Sequence, residues 1–222
     1  MSGVQEWAFI SGLIKMQRPR IAIEVGVASG HMARTIYGAL NENTKYTGVE
    51  SWYTGFDMWD THGQWDQFAQ MGSFEMVNED LKHIGDRYAL VKVDTQKDQD
   101  TFRKELATRF TLGIDFAFID GCHSYEGIKN DFYNVLPHMN PNGIMAFHDT
   151  AVIDGCREFI IDLRMENKGY DISDFPYGWE ERNCGITLVT TPGFADVKID
   201  EICGSPSKPE EIYEKENNYR RL

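Results

Sequence analysis

The ten residues from Ile21 to Gly30, IAIEVGVASG, constrain the fold of this chain more than any other stretch. The mostly β-branched and small apolar residues at 21–25 are typical of a buried parallel strand. Gly26 and Gly30 allow a turn in which the backbone approaches a ligand closely. Ser29 is predicted to cap a following helix, because Met32, Ile36 and Leu40 recur at four-residue spacing. This strand, turn and helix indicate an α/β fold with a nucleotide-type cofactor at the helix N-terminus.

A second strand is predicted about twenty residues further on, over YTGVE (Tyr46–Glu50). It ends in Glu50, and an acid at this position suits the hydroxyl groups of a ribose. The glycine spacing distinguishes two kinds of cofactor, because a dinucleotide site requires G-x-G-x-x-G and this chain has Ala28 and His31 at the second and third glycine positions. A dinucleotide is therefore disfavoured, and a tight strand-to-helix turn without a cofactor is the alternative.

Further predicted strands end in groups that can transfer protons or bind metals. Tyr88–Val93 is a predicted strand followed by Asp94, and the strands that end in such groups are Ile114–Asp120 with the nearby His123, and Ile144–Phe147 with His148 and Asp149. Because the carboxyl ends of parallel strands meet at one edge of an open sheet, these groups are expected to converge. Intervening helices are predicted from Ser124 onward, with an exit turn at Pro141–Gly143, and over Asp154–Arg164, and a closing strand is predicted over Cys184–Thr190.

The segments EVGVASG, VESW, FIDGCHSYEGIKNDF and LPHMNPNGIMAFHDT, within residues 21–190, closely resemble the class I S-adenosylmethionine (SAM)-dependent methyltransferases of the small-molecule O-methyltransferase type. The resemblance includes the metal-dependent sugar O-methyltransferases of macrolide biosynthesis. It implies an α/β, Rossmann-like fold with helices on both faces of a mostly parallel seven-stranded sheet, whose last strand is antiparallel between two others. It also implies SAM as cofactor and a hydroxyl of a sugar or natural-product intermediate as methyl acceptor.

The resemblance further implies a cofactor site in which Glu50 binds the ribose and Asp94 and Thr95 lie near the adenine. The full set is Glu24, Gly26, Ala28, Ser29, Gly30, Glu50, Ser51, Asp94, Thr95 and Asp120. Asp120, His148 and Asp149 stand at the positions that bind Mg²⁺ in the macrolide-type relatives, and His123 stands at that of the general base. Those relatives use two carboxylates where this chain has His148 and Asp149. An imidazole ligand would favour Mn²⁺, Fe²⁺ or Zn²⁺; alternatively, His148 faces away and Asp149 ligates without it.

Methyl transfer explains why these residue types are needed. The reaction is an in-line displacement, so the acceptor oxygen must be held close to the methyl carbon and must lose a proton. A histidine such as His123 can accept that proton near neutral pH. A divalent metal, Mg²⁺ or Mn²⁺, at Asp120 and Asp149 would hold substrate oxygens and lower the pKa of the hydroxyl.

Each site residue also has a local interpretation. Asp120 could cap the next helix, His123 could hydrogen-bond within its loop, His148 and Asp149 could form a turn closed by backbone bonds, and Glu50 and Asp94 could be solvated acids. Two other functions remain alternatives. One is a metal-dependent hydrolase or hydroxylase that uses the same Asp/His cluster, and the other is a catalytically silent SAM-binding protein.

Composition limits the partners. The formal net charge of −13 disfavours nucleic acids and anionic membrane surfaces, and no basic stripe is visible. The four cysteines are widely spaced without a C-x-x-C motif, which favours a reduced, cytoplasmic protein without a disulfide framework. A small-molecule methyl acceptor is therefore expected, and homo-oligomer contacts are left open.

Residues 1–222 are predicted to form a single methyltransferase domain, since no linker or repeat divides them. Residues 1–20 are expected to contain an amphipathic helix, and 204–222 a polar tail. Between them, residues 52–76 hold a dense group of aromatic side chains. This segment is predicted to be either a lid over the substrate or a small satellite core.

Overall fold

The computed structural model describes residues 4–59, 73–166, 168–175 and 184–193. Residues Met1–Thr191 form one compact unit, and residues Pro192–Leu222 form a second, of which only the first two are described. The single domain and the polar tail over 204–222 therefore stay predictions. The central part of the predicted lid, residues 60–72, lies outside the described residues.

Helices and strands alternate along most of the first unit. In chain order they are α1 (Val4–Gln17), β1 (Ile21–Val25), α2 (His31–Thr47), β2 (Trp52–Asp57), α3 (Phe74–Lys82), β3 (Tyr88–Lys92), α4 (Gln99–Arg109), β4 (Ile114–Ile119), α5 (Tyr125–Val135), a 3₁₀ turn (Leu136–His138), β5 (Met139–His148), α6 (Asp154–Glu166), β6 (Asp171–Phe175) and β7 (Ile186–Thr190). Among the described residues, no helix has both the length and the apolar content needed to cross a membrane.

The strands form one seven-stranded sheet in the order β3-β2-β1-β4-β5-β7-β6. The pairs from β3 to β5 are parallel, and β7 runs antiparallel to both β5 and β6. The predicted Rossmann-like α/β class is therefore confirmed, including the antiparallel strand inserted between two others. The strand order reverses beside β1, and open sheets of this kind bind ligands at the carboxyl ends of the strands at such a point.

Two apolar layers hold the helices on the sheet. The first joins α1, α2 and α3 to one face, and the second joins α4, α5 and α6 to the other. Fully buried side chains such as Ile36, Phe116 and Phe132 contribute about 1.5–3 kcal/mol each by leaving water. The sheet is thus covered on both faces, and the strand ends provide a rigid base for a site.

The predicted second strand over Tyr46–Glu50 is wrong. Helix α2 continues to Thr47, and Gly48 ends it with a φ of 73° and a backbone hydrogen bond to Thr44. Tyr46 and Val49 are exposed, whereas Tyr53 and Phe56 of the true strand β2 are fully buried. Since burial of a strand's apolar side chains holds it in a sheet, the strand forms over residues 52–57 instead.

Other element boundaries differ in smaller ways. Gly30, not Ser29, is the N-cap of α2, so no side-chain hydrogen bond caps this helix. Ser124 caps α5 as predicted, by accepting a hydrogen bond from the Gly127 amide. Strand β5 begins at residue 139, so the predicted exit turn at 141–143 lies inside the strand. The pairing of β5 with β4 shifts register there. The closing strand β7 begins at residue 186 rather than 184.

Candidate active site

The turn after β1 brings three strand ends together. The Gly26 amide donates to the Phe56 carbonyl of β2 (2.9 Å), and the Asp120 amide donates to the Val25 carbonyl (2.8 Å). Gly26 has a φ of +92°, and a Cβ on it would lie 2.1 Å from the Asp120 carbonyl oxygen. Gly30 also adopts a positive φ, of +77°. The predicted need for glycine at both positions is confirmed, and only the bare backbone fits beside β4.

Asp57 lies at the carboxyl end of β2, beside the glycine turn, and is not among the site residues predicted from the sequence. Its carboxylate accepts hydrogen bonds from the Ala28 amide (2.7 Å) and from the Trp59 amide (2.7 Å). An acid that follows the second strand and contacts the glycine turn has the placement expected of a ribose ligand. The signal in the sequence was Gly48, since a glycine after a helical stretch marks its end and shifts the next strand along the chain.

Glu50 does not occupy that place. Strand β2 pairs with β1 from Trp52 opposite Ile21, so Glu50 and Ser51 precede the strand at its amino end, across the sheet from the glycine turn. The Glu50 side chain is 76% exposed and pairs with Arg87 at 3.3 Å. The predicted ribose role of Glu50, and the cofactor contact of Ser51, rested on the wrong strand assignment, and the geometry contradicts both.

Three other predicted cofactor residues lie near the turn or after β3. Glu24 is buried beneath the turn, and its carboxyl accepts a hydrogen bond from the Tyr53 hydroxyl. Burial raises the pKa of Glu24 well above its ordinary value, although the hydrogen bond from Tyr53 lowers it. Asp94 accepts hydrogen bonds from the amides of Gln96 and Lys97, which closes a local turn, and Thr95 is buried beside it. The turn orders the chain at the predicted adenine side.

A second group of side chains gathers at the ends of β4 and β5. His123 Nε2 lies 3.2 Å from Asp120 Oδ1 and 3.5 Å from Asp149 Oδ2. The His123 side chain is 35% exposed and so can reach a ligand. Asp149 adopts a left-handed backbone conformation with a φ of 59°, which is uncommon for residues other than glycine. Convergence of these three residues is as predicted, and Ser124 rather than Asp120 caps the following helix.

His148 lies behind this group. Its side chain is only 3% exposed, and its Nδ1 atom is 3.2 Å from Asp120 Oδ1 and 3.4 Å from Asp149 Oδ1. Its other nitrogen, Nε2, faces Glu6 of α1. His148 therefore contacts the two carboxylates from the protein interior. This placement corresponds to the predicted alternative in which His148 faces away from the metal and Asp149 binds the metal without it.

Mutual contacts set the charges of these groups. Burial lowers the pKa of His148, but Asp120, Asp149 and Glu6 raise it, and the net pKa lies far above 6.5. Burial raises the pKa of Asp120 and of Asp149, but the facing histidines lower both to below the ordinary value. The hydrogen bond with Asp120 raises the pKa of His123 above 6.5. These mutual contacts favour the ionised form of both carboxylates and the protonated form of His148.

The donor atoms of this cluster fit a divalent metal. Ligand atoms of Asp120, His123 and Asp149 all lie within 4.8 Å of one another. Two carboxylates with an imidazole in reach suit Mn²⁺, Fe²⁺ or Zn²⁺ and, through the carboxylates, Mg²⁺. His148, which contacts both carboxylates, also belongs to a second, buried group with Glu6 and Cys184.

Asp131 of α5 is a buried acid next to the predicted adenine side. Its Oδ1 atom accepts a hydrogen bond from Gln96 Nε2 (2.9 Å), and burial raises its pKa to about 7. The folded protein therefore binds this proton more tightly than the unfolded chain, whose value is near 3.8. The free energy of unfolding should fall as pH rises from about 4 to about 7, as this proton is lost.

Asp131→Asn is expected to remove this contribution, so that the variant's stability stays flatter over that pH range. Urea unfolding from pH 4 to pH 8 measures it. Asp100→Asn, at a fully exposed side chain, is the control and should follow the wild-type curve. A wild-type slope that persists in Asp131→Asn would contradict the assignment.

Comparison with known proteins agrees with this geometry. Residues 23–150, more than half of the chain, match a family model described as a methyltransferase domain. Over 52 residues, the sequence is 36% identical to the uncharacterized protein y4gI of Sinorhizobium fredii (strain NBRC 101917 / NGR234). That match spans 23% of this chain and 6% of the relative, so the chain covers a small part of the relative's length.

The fold is similar to several solved structures. Cofactor-bound Rv0187 from MTB gives a TM-score of 0.66 at 14% identity, covering 87% of this chain and 82% of that one. The SAM complex of the O-methyltransferase TomG from Streptomyces achromogenes, involved in tomaymycin synthesis, gives 0.63 at 14% identity with the same coverage. The SAH complex of an O-methyltransferase from Bacillus cereus gives 0.63 at 11% identity, covering 86% and 82%. At these identities the likeness concerns the fold.

Proposed function

Because the chain belongs to the methyltransferase domain family, we propose that it is a SAM-dependent O-methyltransferase that acts on a small molecule. One observation carries the proposal: the glycine turn with Asp57 and the Asp120, His123 and Asp149 cluster occupy the same carboxyl edge of the sheet. The turn supplies a place for a nucleoside cofactor, and the cluster supplies groups that can activate a hydroxyl. The O-methyltransferase descriptions of two structural neighbours support oxygen as the acceptor atom.

In this proposal, His123 takes the proton from the acceptor hydroxyl. Asp120 holds the imidazole in place through the 3.2 Å contact, and Asp149 faces it from the other strand end. Asp120 and Asp149 would hold a divalent cation, which when bound supplies Lewis-acid polarisation of substrate oxygens. The buried His148 contacts both carboxylates and keeps them fixed before substrate arrives, which lowers the cost of orienting the reactants.

The proposed acceptor is a hydroxylated small molecule, such as a sugar or a natural-product intermediate. The charge of −13 supports this choice over a polynucleotide, whose binding needs a basic surface. We also propose a reducing, cytoplasmic environment, which the free thiols of Cys122, Cys156 and Cys184 support.

An acceptor screen tests the function. The full chain is incubated with SAM and panels of sugars, phenols and polyketide-type alcohols, with Mg²⁺, with Mn²⁺ or with a chelator, and SAH formation is followed. Acceptor-dependent SAH formation with a methyl ether as product would support the proposal. SAH formation accompanied by N- or C-methylated products would overturn the O-methyl assignment.

The corrected ribose site gives a matched pair of variants. Asp57→Asn is expected to weaken SAH binding by about 10- to 100-fold, the scale of a lost hydrogen bond to a charged group. Glu50→Gln, the same chemical change at the amino end of the same strand, should leave the affinity unchanged. Calorimetric titration measures both, and a loss in Glu50→Gln without one in Asp57→Asn would restore the assignment made from sequence.

A further inference from the structure

Glu6 of α1 is a buried acid. Only 3% of the surface of Glu6 is exposed, although Glu6 lies in the first turn of a helix, where an acid is usually solvated. Helix α1 already has an apolar contact surface formed by Ile10, Leu13 and Ile14. It is also tied to α2 by the Asn43 hydrogen bond to the Ile14 carbonyl (2.9 Å). Burying a carboxylate costs free energy unless it is paired, so its pairing calls for an explanation.

Glu6 pairs with the histidine that supports the active-site carboxylates. The Glu6 Oε2 atom lies 3.3 Å from His148 Nε2, at ion-pair distance but without the geometry of a hydrogen bond. The other nitrogen of the same ring contacts Asp120 and Asp149. A single imidazole therefore connects α1 to both carboxylates that face His123.

We infer that Glu6 is a positioning residue of the active site, acting through His148 to hold Asp120 and Asp149 in place around His123. The inference rests on the proposed function and deepens it, because it extends the site to the N-terminal helix. Glu6 and His148 are 142 positions apart in the chain, so this connection arises only in the folded protein.

A second contact of α1 points the same way. Trp7 stacks on His31, the first residue of α2, with ring centroids 5.4 Å apart and planes 8° from parallel. Adjacent residues of α1 therefore contact both halves of the candidate site, since His31 follows the glycine turn. Helix α1 thus contacts both the residue behind the Asp120–Asp149 cluster and the first residue of α2.

The first test compares Glu6→Gln with Lys15→Gln by hydrogen exchange. Lys15 forms the exposed pair of α1 with Glu42 (2.7 Å), so its variant removes a charge from the same helix away from the site. Amides at 120–123 and 148–152 should exchange about 10-fold faster in Glu6→Gln and at the wild-type rate in Lys15→Gln. Faster exchange confined to α1, or no change, would show that Glu6 only docks the helix and would overturn the inference.

The second test uses turnover with an acceptor from the screen. Glu6→Gln is expected to lower kcat by about 10- to 100-fold, the scale for residues that orient site ligands, with the KM for SAM and the SAH affinity unchanged. Glu6→Asp keeps the charge and should retain more activity. In the double variant with His148→Gln the two effects should not add, because both act through one contact. Full kcat in Glu6→Gln, or additive losses, would overturn the inference.

The proposed function and this inference can fail separately. If the wild-type chain neither binds SAH nor transfers methyl groups, the proposed function fails, and the exchange experiment still decides whether Glu6 orders the strand ends. If the wild type is active and Glu6→Gln matches it in kcat and exchange, only the inference fails.

Discussion

Replacing His123 by alanine is expected to lower methyl transfer by about 10²- to 10⁴-fold while SAH affinity stays unchanged. The side chain is the most exposed member of the cluster and lies within 3.5 Å of both strand-end carboxylates. It is therefore placed to take a proton from a bound hydroxyl, whereas the buried His148 is not. Single-turnover kinetics with SAM and an acceptor from the screen, beside calorimetry with SAH, separates the chemical step from cofactor binding.

His83→Ala is the matched control. His83 is an exposed histidine at the end of α3, and its loss should leave turnover unchanged. Wild-type activity in His123→Ala would move the proton-removal step to another group. A fall of the same size in SAH affinity would instead make His123 a cofactor ligand.

The dependence of turnover on pH tests the same assignment of His123 as the base. The contact with Asp120 raises the pKa of His123 above 6.5, so the imidazole becomes a free base only at higher pH. Wild-type turnover in the presence of a chelator should therefore rise with pH through a value above 6.5. A profile that is flat from pH 6 to pH 9 would exclude His123 as the base under those conditions.

Gly26→Ala is expected to remove SAH binding and to destabilise the protein. A side chain at a φ of +92° is strained, at a cost of about 1–3 kcal/mol. The added Cβ would also lie 2.1 Å from the Asp120 carbonyl oxygen, and overpacking of this kind costs about 1–3 kcal/mol more. Because the contact is with backbone, β1 and β4 must move apart, and the cofactor turn moves with them.

Gly38→Ala controls for the loss of a glycine. Gly38 lies within α2, where an added Cβ meets nothing within 4 Å, and the change should be neutral or stabilising by up to about 1 kcal/mol. Urea unfolding and SAH titration measure both variants. A Gly26→Ala protein with wild-type stability and affinity would contradict the close approach of the two strands.

The α/β class could be predicted from local signals in the sequence, whereas the seven-stranded sheet with its antiparallel strand was predicted from the family resemblance. Residues 21–30 encode a strand, a turn and a helix within ten positions, and apolar strand ends followed by Asp120 and Asp149 recur along the chain. The convergence of His123 with these two residues followed from the parallel sheet, since parallel strands end at one edge.

The missed features depend on boundaries and long-range contacts. Asp57 was missed because Tyr46–Glu50 has the composition of a strand, whereas α2 continues to Thr47 and the buried Tyr53 lies in the true strand. Glu6 could not be assigned at all, because its contact with His148 joins the first helix to the fifth strand. Periodicity carries no information about such a pair.

The most direct test of the central claim is a calorimetric titration of the full wild-type chain with SAH, run once with Mn²⁺ and once with a chelator. One-to-one binding in the micromolar range is the predicted result, and a difference between the two runs would report coupling between the cofactor site and a metal at Asp120 and Asp149. The absence of SAH binding under both conditions would contradict the assignment of the glycine turn and Asp57 as a SAM site.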